Sequence, residues 1–143
     1  MKTDHTKQAN VGDYNHDEID DHIDNVSNPH SVTFAQIGGQ PEGDQLVTYG
    51  ADITVNFSLG ATARITLTGN TNITLSNLTN GRVYRLILIQ DGTGSRLVSS
   101  WVTTIKWMDA TAPTLTTTVN RADVITFIKA NDIIYGAATL NFG

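Results

Sequence analysis

The chain contains no cysteine. That excludes a disulfide framework, a thiolate metal site and a cysteine nucleophile. It also suits a protein made in a reducing cytoplasm. No run of 18 apolar residues occurs, so no segment is long and apolar enough to cross a bilayer as a helix. The opening residues, MKTDHTKQANVGD, lack the apolar core of a secretory signal. All four histidines (His5, His16, His22, His30) precede residue 31, so the rest of the chain cannot build a Ser-His-Asp triad. Cationic residues are scarce too. Nine Lys and Arg stand against 14 Asp and Glu, which argues against nucleic acid as a partner, because that needs a basic face.

What charge there is lies unevenly. Residues 1–30 hold seven acids (Asp4, Asp13, Asp17, Glu18, Asp20, Asp21, Asp24) against Lys2 and Lys7, which accounts for the whole net charge of −5. Residues 31–143 hold seven acids and seven bases. Such asymmetry marks a distinct segment. In a chain of 143 residues it divides one domain from a short extension. Residues 1–14 read as a flexible acidic leader, either an anchor ordered against a partner or a terminus without a role. Residues 15–40 read as a stem, and residues 41–143 as a β body.

The stem begins with a helix signal. Asn15 can cap a helix N-terminus, with Glu18 at the third helical position as in a capping box. The early acids suit the positive end of the helix dipole. His16, Ile19, Ile23, Val26 and His30 then recur at spacings of 3, 4, 3 and 4, an a/d seam. Two heptads are too short to hold a coiled coil unaided. Pro29 disfavours helix at Asn28, so the helix ends near Val26 and Asn28-Pro29 forms a turn. The narrow stripe with acidic flanks favours self-association, the other reading being a helix packed on its own domain.

The run from His16 to Gly38, HxxIDDHIDNxxNPHxVTxxQIG, resembles a segment of tailed-bacteriophage fibre proteins, where it forms part of a trimeric stem. The resemblance implies a homotrimer whose stem contacts come from His16, Ile19, Ile23, Val26, His30, Val32 and Ile37. Phage fibres often repeat the motif; one copy implies a short stem.

After a Gly/Pro/acid linker from Gly39 to Tyr49, the body shows short alternating runs. These are Ala51–Phe57, Ala63–Leu67, Asn72–Leu75, Arg82–Gln90, Leu97–Trp101, Ile105–Trp107, Thr114–Val119, Val124–Lys129, Ile133–Tyr135 and Thr139–Phe142. Gly69-Asn70, Asn80-Gly81 and Asp91–Ser95 punctuate them as turns, the last as a hairpin turn. Roughly nine short strands without helical periodicity predict an all-β fold, a jelly-roll-like antiparallel β-sandwich. Eighteen threonines in residues 46–143 fit exposed strand faces. The body is also similar to a small β domain at the C-termini of phage virion proteins. The matching positions are Leu75, Leu78, Gly81, Tyr84, Gln90, Asp91, Gly92, Gly94, Trp107, Pro113, Asp123 and Phe127. Where that family carries a Trp-Tyr pair in the last hairpin, this chain has Ile134-Tyr135, which implies altered packing there.

Catalytic chemistry finds little support. The acids of residues 17–24 follow neither an EF-hand nor an HExxH order, and a solvated helix face accounts for them. A threefold ring of stem histidines could hold a metal or an anion; no metal site or cofactor is assigned. The Gly-x-Gly of DGTGSR lacks the lysine and following helix of a phosphate loop. Body carboxylates fall mostly at turns. Trp101 and Trp107 are the candidates for ligand binding, for instance to a host-surface glycan, with core packing the alternative for both.

The sequence therefore reads as a non-enzymatic homotrimeric virion protein of a tailed phage, made in the bacterial cytoplasm, with no membrane insertion. Beginning at Met1 with one stem motif and no long shaft, it reads as a capsid decoration or head-fibre protein that grips the major capsid protein. The alternative is a tail-fibre tip that binds a receptor, attached to another tail component.

Overall fold

Strands form in this chain wherever apolar residues alternate with polar ones, since alternate side chains of a strand point to opposite faces. A computed structural model describes residues 43–143, and all structural statements below concern them. Nine strands run in order: β1 (Asp44–Leu46), β2 (Asp52–Asn56), β3 (Thr62–Leu67), β4 (Thr71–Ser76), β5 (Arg82–Gln90), β6 (Val98–Trp101), β7 (Lys106–Trp107), β8 (Ala122–Ala130) and β9 (Ile133–Phe142). β3 buries Ala63, Ile65 and Leu67 and turns Arg64 and Thr66 outward. β5 buries Tyr84, Leu86, Leu88 and Gln90. β2 and β4 answer from the opposite layer with Ile53, Val55, Ile73 and Leu75, and these inner faces form one continuous core.

The protein is all-β, as expected, but its winding is not that of an antiparallel jelly roll. One sheet has the order β1-β3-β5-β8-β9-β7 and the other β2-β4-β6. β1, β3 and β5 are parallel neighbours, and so are β2, β4 and β6. From β1 to β7 each link carries the chain to the other sheet, so through β6 it returns to a given sheet only after a full turn, running in the same direction. A parallel pair needs a crossover of about a dozen residues, and here the intervening strand of the opposite sheet supplies it. Only β5–β8 and β8–β9 pair antiparallel.

The three links read as turns, with Asp91–Ser95 read as a hairpin turn, are corners between the sheets and close no hairpin. A two-residue type I′ hairpin requires positive φ at both central residues. At Asn80-Gly81 only Gly81 has it, with φ +80°, and the link passes from β4 to β5 in the other sheet. Gly69-Asn70 and Asp91–Ser95 likewise join strands of opposite sheets. Asn131-Asp132 meets the requirement, with φ of 49° and 60°, and closes the β8–β9 hairpin.

Corners of this kind strand backbone polar groups that neither sheet can pair, and such groups need partners. Side-chain amides and hydroxyls supply them. Gln45 Nε2 donates to the carbonyls of Asn56 and Gly60. Thr71, buried in β4, donates its hydroxyl to Gly50 O at 2.8 Å. Gln90 accepts from Arg96 N and donates to Arg96 O, closing the corner after β5. Some of the Asn and Thr richness therefore serves corners as well as exposed faces.

Three segments depart from expectation, the first being Ile133–Tyr135 and Thr139–Phe142, which read as two runs and form the single strand β9. Asp44–Leu46, read as linker, adds a short edge strand beside β3. Thr114–Val119, read as a strand, is not one. The amide of Thr116 is taken by the Asp123 carboxylate, and Thr117 O accepts from Ser95 N across a loop.

Candidate functional site

The stem residues His16, Ile19, Ile23, Val26, His30, Val32 and Ile37 lie outside the described residues, as does the leader, 1–14. The site is therefore built from the body. Trp101 ends β6 and Trp107 ends β7, which belong to different sheets. The fold nevertheless brings the two indoles together edge to face, with centroids 5.0 Å apart. Both also pack edge-on against Phe127, at 5.9 and 6.1 Å. Aromatic pairs in this geometry add about 1 kcal/mol each to what their burial contributes. Phe127 in turn meets Phe57, which stacks on Tyr84. Both tryptophans are half-buried, so one side of each works for the core while the other borders solvent.

That solvent side lines a cleft of about 430 Å³ along β6, floored by Trp101 and Trp107 and edged by Ser99, Ser100, Pro113 and Thr114. No titratable side chain lines it. The cleft can stack a flat or ring-shaped neutral ligand and offer it hydroxyls; it holds no group to move a proton. Trp107 owes its position to Gly136 of β9, on which its ring lies. A Cβ at Gly136 would sit 2.6 Å from the ring and 2.8 Å from Ile105. Gly136→Ala is expected to push β7 away from β9, lower stability by about 2 kcal/mol and shift the tryptophan emission. Unchanged emission and denaturation midpoint would show that the ring gives way freely.

Among the described residues no three His, Cys, Asp or Glu side chains cluster as a metal site. The charge cluster with the clearest electrostatic signature is a corner. Arg96 pairs with Asp91 at 3.1 Å, and the Asp91 carboxylate accepts the amides of Thr93 and Gly94. The Arg96 guanidinium foremost, with those amides, holds the Asp91 carboxyl below the usual carboxylate range, against partial desolvation acting the other way. A carboxyl lowered on folding stabilises above its unfolded pKa of about 4 and loses that contribution as pH falls through the folded value. The urea midpoint of the wild type should therefore fall more steeply below pH 4 than that of Asp91→Asn. Parallel pH profiles would remove Asp91 as the source.

A second surface was not singled out from the sequence. On the outer face of the six-stranded sheet, Val83, Ile128 and Tyr135 are directly opposed in one row across β5, β8 and β9. They are 42, 45 and 48% exposed. The signal was present in VITFIK, where both alternating sets are apolar: Ile125 and Phe127 face the core, while Val124 and Ile128 do not. Beside this row a groove of about 490 Å³ is lined by Ile128, Ile133, Tyr135, Met108 and Lys106 among others.

No family model, curated protein or solved structure matches this chain.

Proposed function

We propose that this chain is a non-enzymatic, homotrimeric structural protein of a tailed-phage virion that decorates or stabilises the capsid. The resemblance of residues 16–38 to phage fibre stems suggests the setting. The observation that carries the reading from the geometry is the row of exposed apolar side chains set side by side across β5, β8 and β9 on the outer face of the six-stranded sheet. Large exposed apolar patches mark interaction surfaces. The body also suits a passive part. Its interior is filled by interlocked aliphatic and aromatic side chains, and the cleft floored by Trp101 and Trp107 has no acid or base in its lining.

Two measurements test this. Light scattering on the full chain is expected to give three times the 15.5 kDa chain mass; a monomer would sink the assembly. Immunogold labelling of virions is expected over the shell. Label confined to the tail would replace decoration with the receptor-binding alternative. One observation favours that alternative, namely the Trp101–Trp107 cleft, whose indoles and hydroxyls suit a neutral surface glycan.

A further inference from the structure

We infer that the outer face of the β5–β8–β9 layer is the docking surface for a second copy of this chain, centred on Val83, Ile128 and Tyr135. The inference rests on the homo-oligomer reading above and gives it an address. A sheet with one face on the core and the other in water alternates apolar and polar residues, whereas a sheet covered on both faces is apolar throughout. β5 and β8 follow the second pattern in three of their four outward rows, the exception being Arg85 opposite Thr126. Their inner residues fill the core, yet directly opposed outer positions pair Val83 with Ile128 and Ile87 with Val124. β9 continues the first row with Tyr135, and Phe142 stands opposite Ala122 at the far end.

Size, polarity and strand order argue for a copy of the chain. With side chains of about 200 Å² at nearly half exposure, the exposed residues of this face and groove offer on the order of 600 Å². That approaches the roughly 800 Å² per partner of a standard protein interface and exceeds what a small ligand covers. The groove beside the central row has one charged lining residue, Lys106, so a polar ligand would find few partners there. In a trimer, three copies of an apolar row can converge on the threefold axis without needing complementary charges. Residues 31–143 carry seven acids and seven bases, so two bodies do not repel at long range. Lateral strand addition is the poorer route. The six-stranded sheet ends in the three-residue β1 on one side and the two-residue β7 on the other, and very short edge strands blunt edge-to-edge pairing. Arg85 lies in the second row of the face, opposite Thr126, and divides the apolar surface into two parts.

The test uses the full chain. Sedimentation equilibrium is expected to show an oligomer that Ile128→Lys with Tyr135→Lys weakens by about tenfold or more, with the circular dichroism spectrum and tryptophan emission retained. The absence of cysteine makes a single introduced thiol unique. Thr126→Cys, beside the central row, is expected to link chains through a short bismaleimide. Leu59→Cys, 62% exposed in the corner between β2 and β3, is expected to link far less. A wild-type monomer at all concentrations overturns the homo-oligomer reading and this one with it. A wild-type oligomer that the lysine pair leaves intact, with no excess linkage at Thr126→Cys, overturns the docking face alone. If the lysine pair fails to fold, linkage at Thr126→Cys against Leu59→Cys decides.

Discussion

Phe127→Ala is expected to lower the stability of the body by about 4 kcal/mol. Phe127 is fully buried in β8 and holds three aromatic contacts at once, to Phe57, Trp101 and Trp107. Truncation removes the ring's burial and leaves a cavity bordered by rigid neighbours from both sheets. Because the indoles lean on this ring, their emission should shift to the red in the variant even where it remains folded. Phe127→Leu keeps most of the volume and is expected to lose less than half as much. A chemical denaturation midpoint for Phe127→Ala close to the wild type would mean that the tryptophans close over the gap, and that the aromatic cluster is not the joint between the two sheets.

Asp123→Ala is expected to remove about 3 kcal/mol, through backbone groups rather than volume. Asp123 is buried in β8, at the point where the β8–β9 register shifts. The shift leaves Asn141, at φ +68°, out of the ladder. Asp123 Oδ1 accepts the Asn141 amide at 2.8 Å, and Oδ2 accepts the Thr116 amide at 2.7 Å. One carboxylate thus satisfies the irregular end of β9 and the loop that covers the core through Leu115. Alanine strands both amides. Asparagine keeps one acceptor oxygen and is expected to lose roughly half as much. Equal denaturation midpoints for Asp123→Ala and the wild type would show that water or a shifted loop satisfies these amides. Both variants also bear on the docking face, because β8 presents Phe127 and Asp123 inward and Ile128 and Val124 outward.

Strand period is a local property of the chain, whereas strand pairing is not. Ala63, Ile65 and Leu67 alternate, and so do Val124 and Ile128 against Ile125 and Phe127. That period specifies strands by itself, because successive side chains point to opposite faces whatever the neighbouring strand. The all-β class, most strand positions and the inward residues were accordingly legible. Turn residues were legible as breaks in strands, but not by kind. Asn80-Gly81 looks like a hairpin in sequence and is a corner in space; Asn131-Asp132 drew no notice and closes the hairpin. The difference lies in one φ angle at the first turn residue, which the surrounding strands impose. The edge-to-face contact of Trp101 with Trp107 was equally invisible, since β6 and β7 lie in different sheets and only the packing of those sheets brings the two rings together.

Alternation, charge segregation and the absence of thiols and body histidines belong to the chain order. They already specified a strand-built body and an acidic N-terminal segment. Which strands become neighbours, and therefore that the winding is largely parallel, depended on where each link could cross the core. So did the second apolar face. An apolar outward residue in one strand is ordinary, and Val83, Ile128 and Tyr135 become a surface only when pairing sets them side by side. Burial preference is local to a residue, whereas a patch is a property of register.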